Sequence, residues 1–257
     1  MKVVVTGGGT IAPVDDVRFL TNVSSGRLAA AIAESFLDRG HSVWHVHAPS
    51  AQVPIHRLAR FDLDAHDPSA ELNRLTRLRD RWLGMRDRLH LVPLAKGTVA
   101  DYAETLRATL ADRPIDVAVL TMAVSDFEPD PVAGKIGSDS ESLVIRCRPA
   151  SKVIRSVRDW SPSAYLVGFK LLSGAGEAEL IRRAEDANRT NRSDLTVAND
   201  LQTLRRGEHT LHLVRPGERP ETLAPGDDLA DRLVARIIAC AEAARRDRPG
   251  AESPPRS

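Results

Sequence analysis

TGGGTIAPVDDVRFLTNVSSGRLAAAIAE, residues 6–34, holds a glycine-rich turn and a helix at an unusual distance from each other. Gly7, Gly8 and Gly9 close a β-branched run over residues 2–6 that reads as a buried parallel strand. Helical spacing begins only after Asn22, from Ser24 or Ser25, with Leu28, Ile32, Phe36 and Leu37 on one face and Arg39-Gly40 as the stop. The strand SVWHVHA follows, and strand, helix, strand at this spacing is a βαβ unit with parallel strands. The delay between glycines and helix decides what such a unit can bind.

Gly7-Gly8-Gly9-Thr10-Ile11-Ala12 satisfies GxGxxA, the dinucleotide fingerprint, but two of its requirements fail. Pro13 and VDDVRF keep the helix from starting inside the motif, where a pyrophosphate would meet its N-terminus. The second strand, ending WHVHAPS, also offers no acid for a ribose. A nicotinamide-dependent reductase therefore stands only as an alternative. NVSSGR is the better anion site: Ser24, Ser25 and Gly26 at a helix start supply hydroxyls, free N–H groups and the positive end of the dipole, suited to a phosphate monoester. Arg18 and Asn22 lie just upstream, where they can reach across a ligand; the bland reading makes Ser24 a simple N-cap. The delay reads as a long substrate loop.

Outward from this stretch the chain alternates. Residues 54–96 read as a helical excursion, with arginines at 57, 60, 74, 77, 79, 81, 86 and 88 and a stripe of Leu72, Leu75, Leu78, Trp82 and Leu89. GTVADYAETLRATLADRP reads as a helix, IDVAVLTMAVSDF as a central strand, ASKVIRSVRDWSP as a helix and AYLVGFKLL as a strand. A charged helix over residues 177–192 precedes the strand DLTVAND, HTLHLVRPGERPETL alternates as a hairpin, and a last helix spans residues 227–245. The expectation is an α/β fold: one doubly wound, Rossmann-like three-layer domain over residues 1–246, mostly parallel, with an antiparallel addition near the C-terminus and a disordered tail at 247–257. With 36 basic and 35 acidic residues in 257, the net charge of +1 selects neither nucleic acid nor an anionic membrane. Cys147 and Cys240, outside any CxxC spacing, fit a reducing cytoplasm, and no apolar run is long enough for a signal peptide or a membrane span.

Together VTGGGTIAPVDDVRFLTNVSSGRLAAAIAE, TMAVSDF, the GKI at 134–136, LVGFKLL and DLTVAND resemble the motif series of phosphopantothenate–cysteine ligases, in order and spacing over residues 2–214. With no flavin-binding decarboxylase half ahead of it, the chain is similar to the monofunctional members, and no flavin is expected. The resemblance implies a two-step reaction of coenzyme A biosynthesis. The carboxylate of 4′-phosphopantothenate attacks the α-phosphorus of CTP or ATP, and the amine of L-cysteine then displaces the nucleotide from the acyl-nucleotidylate. It implies Asn22 as the residue that binds that intermediate, Arg18 as a help to the second step, and Lys135 as a closing group over the triphosphate. Ser24, Ser25 and Gly26 would hold the substrate phosphate. Gly8, Gly9, Thr10, Ala123, Asp126, Gly168 and Phe169 would hold the nucleotide. Magnesium comes with the triphosphate, without a visible carboxylate cage.

KIGSDSE lacks the further lysines of bifunctional bacterial members, and the helix before DLTVAND holds Arg and Asn where many have Lys. Nucleotide choice stays open on that account, leaning to CTP. A non-catalytic nucleotide- or flavin-binding module of the same fold is the remaining alternative. His45 and His47 share one side of their strand without the further ligands of a metal site, and His209 and His212 lack that spacing. The resemblance implies a cytoplasmic homodimer, with HTLHLV or residues 142–147 as candidate pairing edges.

Overall fold

The computed structural model describes residues 1–137 and 141–247; the expected tail beyond 247 and Ser138, Asp139 and Ser140 of the KIGSDSE segment lie outside the described residues. A sheet of eight strands runs in the order β12-β11-β10-β9-β6-β1-β4-β5. Its parallel part comprises β1 (Lys2–Gly7), β4 (Ser42–His47), β5 (Leu89–Pro93), β6 (Val117–Leu120), β9 (Tyr165–Leu172) and β10 (Leu195–Asp200). The expected hairpin, β11 (Leu211–Val214) and β12 (Glu221–Leu223), adds antiparallel strands at one edge. Because β11 pairs on both sides, HTLHLV cannot serve as an open pairing edge.

Alternation along each strand sends successive side chains to opposite faces. Val3, Val5, Val117, Val119 and Val167 meet α1 (Arg27–Asp38), α2 (Pro68–Met85) and α7 (Leu229–Arg246) on one side. Val4, Ala118 and Leu166 meet α3 (Val99–Ala111) and α4 (Ile154–Trp160) on the other, where α5 (Glu177–Asn191) also covers Ala198. Burying Ile32, Phe36 and Leu37 of α1 completely contributes about 1.5–3 kcal/mol per side chain, so this apolar face holds the layers together. Among the described residues no helix is long and apolar enough to cross a membrane.

The chain leaves β1 for β4 and β5 on one side, then returns to β6, β9 and β10 on the other. The carboxyl ends of β1 and β6 therefore flank the switch point, where open α/β sheets form their binding crevice. The residues read as a loop between the glycines and α1 form a small ribbon instead: β2 (Ile11–Pro13) pairs antiparallel with β3 (Phe19–Thr21). A second ribbon joins β7 (Phe127–Pro129) to β8 (Cys147–Pro149), and a short α6 (Leu201–Arg205) follows β10.

Two boundaries differ from the sequence reading. Helix α1 starts at Arg27 rather than at Ser24 or Ser25, because Gly26 holds a left-handed φ of 72° that no helical turn accommodates. The 54–96 segment is only partly helical: α2 is capped by Asp67 and begins with Pro68, two 3₁₀ turns flank it, and β5 is an edge strand pairing with β4. Three of its eight arginines are clips to α1. Arg57 grips Glu34 at 2.7 Å, Arg81 grips Asp38 at 2.6 Å, and Arg88 donates to the Leu37 carbonyl at 2.9 Å, all on α1. Half-exposed pairs such as Arg81–Asp38 add about 0–1 kcal/mol, so they orient α2 rather than hold it.

Each glycine of the turn after β1 admits another part of the chain. A Cβ on Gly7 would stand 2.5 Å from the Ala29 Cβ, and one on Gly9 2.4 Å from the Asn22 carbonyl oxygen. On Gly8, whose φ is +94°, it would lie 2.7 Å from the Ala48 Cβ. Gly7→Ala is expected to destabilise the chain by about 1–3 kcal/mol through overpacking, read as a lower denaturation midpoint. Gly84→Ala, in the last turn of α2 with nothing within 4 Å of the added Cβ, should raise stability by roughly 0.5 kcal/mol. Equal behaviour of the two variants would contradict this assignment.

Candidate functional site

The floor of the crevice is a backbone bridge between the ends of β1 and β6. Ala123 N donates to Gly8 O at 2.9 Å and Thr10 N donates to Ala123 O at 3.1 Å. These two amides are thereby engaged with each other's segments. Thr10 is fully buried; its Oγ1 accepts from Ser125 N at 3.0 Å while its carbonyl accepts from Thr21 Oγ1 at 2.9 Å. It ties the β6 loop to the first ribbon. The Ile11 amide, donating to Gly97 O at 2.8 Å, fixes that ribbon's other side.

Beside this floor stands the N-terminus of α1. It has Gly26 at the cap, no side-chain cap bond and no acidic residue in the first turn, so its positive end is not neutralised from within. Gly26 approaches Gly8: a Cβ on it would lie 3.3 Å from the Gly8 amide nitrogen. Ser24 is half-buried, and Ser25 Oγ accepts a long 3.4 Å contact from Arg27 N. Neither serine is the N-cap.

Beneath the turn lies His45, fully buried on β4 and stacked on His47 with ring centroids 5.6 Å apart. Burial, with His47 beside it, pushes the His45 pKa down to about 3, so its ring is a neutral spacer. His209 meets Asn199 at 3.3 Å and His212 meets Thr222 at 3.1 Å. Among the described residues no group of three or more His, Cys, Asp or Glu gathers as a metal site.

The rim is carried by the first ribbon. Asn22, just after β3, donates from Nδ2 to the Val124 carbonyl at 2.9 Å, which aims its amide at the end of β6. Arg18, in the turn between β2 and β3, donates from Nη2 to Ile136 O at 2.9 Å. That bond brings the exposed Lys135 to the same tip. Asp15 is buried there: burial pushes its carboxyl up, but N–H donors from Ile136, Val17 and Arg18 together with the Arg18 charge hold it below the ordinary carboxylate range.

The nucleotide set is less concentrated. Gly8, Gly9, Thr10 and Ala123 form the floor. Asp126 is exposed at the root of the second ribbon, ion-paired with Lys152, a residue the sequence reading assigned only to a helix. Gly168 lies in β9 between Leu120 and Thr196, where a Cβ would stand 3.0 Å from Ile154 Cδ1; Phe169 packs on the opposite face. These two are one strand away from the bridge.

Residues 1–67 and 94–240 match the family described as the DNA/pantothenate metabolism flavoprotein C-terminal domain. The unmatched residues 68–93 are α2, the turn after it and β5. The coenzyme A biosynthesis bifunctional protein of Thermococcus kodakarensis is 30% identical over 213 residues, 83% of this chain and 44% of that protein. The chain thus spans about half the length of the bifunctional relatives it matches. The phosphopantothenate–cysteine ligase of Mus musculus is 31% identical over 259 residues, covering 90% of this chain and 81% of that one. The solved DNA/pantothenate metabolism flavoprotein of Streptococcus pneumoniae superposes with a TM-score of 0.73 at 26% identity, over 93% of this chain and 99% of that one.

Thr10 carries a structural bond that can be tested by itself. Thr10→Val leaves the buried Ser125 amide unpaired and should cost about 1–3 kcal/mol in denaturant unfolding, whereas Thr10→Ser keeps the acceptor and should cost under about 1 kcal/mol. Indistinguishable midpoints would show that the Ser125 N–H to Thr10 Oγ1 bond carries little of the fold.

Proposed function

The chain belongs to the family of DNA/pantothenate metabolism flavoprotein C-terminal domains, and on that premise we propose that it joins 4′-phosphopantothenate to L-cysteine through an acyl-nucleotidylate. One observation carries the reading. The ribbon inserted between the glycine turn and α1 ends in Asn22, held on the Val124 carbonyl, carries Arg18 against the segment that bears Lys135, and leads into an uncapped α1. A dinucleotide site has no use for such an insertion, so the reductase is disfavoured.

The substrate carboxylate is a poor electrophile until its oxygen bonds to the α-phosphorus of a nucleoside triphosphate and pyrophosphate leaves. The cysteine amine then attacks the acyl carbon, loses a proton, and expels the nucleoside monophosphate with that oxygen. Negative charge rests first on phosphoryl oxygens and then on the carbonyl oxygen, and preorganised donors stabilise both. Lys135 meets the triphosphate charge, the Asn22 amide holds the acyl-nucleotidylate, and Arg18 serves the cysteine step. Ser24, Ser25 and the α1 amides receive the phosphate of 4′-phosphopantothenate. The floor of Gly8, Gly9, Thr10 and Ala123, with Asp126 and the neighbouring Gly168 and Phe169, accommodates the nucleotide. Mg²⁺ belongs to the proposal as the counter-ion of the triphosphate, held by phosphate oxygens; no protein group is assigned to it. CTP is the favoured nucleotide, ATP the alternative, and the cytoplasm the site of action.

Release of pyrophosphate, with each substrate omitted in turn and CTP compared with ATP, tests the assignment. Release should require 4′-phosphopantothenate, and Lys135→Ala should lower turnover by about 10²-fold. Silence with both nucleotides would favour a non-catalytic module.

A homodimer completes the proposal. Val17, Phe19 and Val23 of the first ribbon region, with Phe127, Val132 and Val144 around the second, are all more than half exposed, an apolar surface suited to a second copy of the chain. Sedimentation should give a dimer that Val144→Asp weakens toward monomer. A monomeric wild-type chain at micromolar concentration would overturn this part.

A further inference from the structure

Arg18 and Lys135 are 117 residues apart by number and lie on separate segments, yet a single buried carboxylate stands between the segments that carry them. Asp15 Oδ1 accepts from Val17 N at 2.9 Å and from Arg18 N at 2.7 Å, closing the ribbon turn. Its other oxygen, Oδ2, accepts from Ile136 N at 3.0 Å and lies 3.5 Å from Arg18 Nη1. The neighbouring Asp16 repeats the contact more openly: Oδ2 accepts from Gly134 N at 3.0 Å, and its own N–H donates to Gly134 O at 3.1 Å. Val132 N donates to Val14 O at 3.0 Å just before. Residues flanking Lys135 on both sides are thus fixed to the turn that carries Arg18.

We propose that Asp15 is a positioning residue that fixes the Arg18 turn and the Lys135 segment as one unit, with Asp16 as its weaker companion. The inference rests on the ligase reading for its catalytic consequence. Its structural content stands apart from that reading. Asp15 cannot touch a ligand through the oxygens it has already committed to both segments; it acts through what it holds. An amide in its place must turn its NH₂ toward an N–H donor on one side or the other, so Asp15→Asn breaks one of the two connections at almost unchanged volume.

The test compares wild type, Asp15→Asn, Asp16→Ala and the control Asp130→Asn, whose exposed carboxylate pairs with Arg148 of the second ribbon. Hydrogen exchange is read at the 134 and 136 amides and in β1 and α1, and steady-state kinetics are read in the ligase assay. Asp15→Asn should speed exchange at Ile136 by about tenfold or more, with β1 and α1 unchanged, and lower kcat by a similar factor while KM for the nucleotide stays within about twofold. Asp16→Ala, at an exposed position, should show the exchange effect at Gly134 and a smaller loss of kcat; Asp130→Asn should match wild type. Unchanged exchange at Ile136, faster exchange throughout the domain, or a freed segment with full kcat would each overturn the proposal. A wild-type chain with no ligase activity would instead remove the function assigned above, while the exchange comparison still decides whether Asp15 holds the segment.

Discussion

The closeness of the Asn22 carbonyl to Gly9, with no room for a Cβ between them, is the contact on which the crevice depends. It forces the chain leaving the first ribbon to return against the end of β1 before α1 can begin. Gly7 admits Ala29 of α1 in the same way, and Gly8 admits the loop after β4. Three segments distant in the chain therefore converge on a turn made of three glycines. A larger residue at Gly9 would have to push out the strand that ends in Asn22, and with it the Asn22 amide and the ribbon behind it.

The surrounding interactions keep that convergence rigid. Glu34 in α1 is buried and accepts from the Arg57 guanidinium at 2.9 and 2.7 Å and from Ile55 N at 2.8 Å. Ser35 and Arg39 reach Asp231 of α7 at 2.6 and 3.0 Å. With its apolar face packed on β1 and β4 and its polar edges clipped to two other helices, α1 offers a fixed positive end rather than a swinging one. The ribbon's own acids, Asp15 and Asp16, are turned to backbone amides of the 134–136 segment, so they do not cancel that field at the helix start.

Much of the architecture was legible because β1 and β6 are runs of buried aliphatic residues, β9 and β10 open on such runs, and the helices between the strands carry plain apolar stripes. The mostly parallel arrangement followed from that alternation; which strands lie side by side did not. What escaped was short or tertiary. Strands β2, β3, β7 and β8 have three residues each, too few for a period to declare itself. LHLVP was absorbed into the arginine-rich helix before it, and only pairing with β4 makes it a strand. Gly8 and Gly9 were read as part of a nucleotide site; that each glycine of the turn also admits a neighbouring segment is something no local pattern identifies. For the candidate site, the delay before α1 is the signal that points to the ribbon, and Asn22, Ser24 and Arg18 stood out by type. Lys152, the partner of Asp126, lay hidden as one more helix residue, and VDD gave no hint that its acids face a segment over a hundred residues away.

In the proposed reaction a carboxylate oxygen attacks the α-phosphorus, so the fate of that oxygen decides it. 4′-Phosphopantothenate labelled with ¹⁸O in its carboxylate would be turned over with cysteine and the nucleotide, and the products analysed by mass. One labelled oxygen is expected in the nucleoside monophosphate and none in pyrophosphate. Label in orthophosphate alongside a nucleoside diphosphate would contradict it, because the attack would then have fallen on the terminal phosphorus.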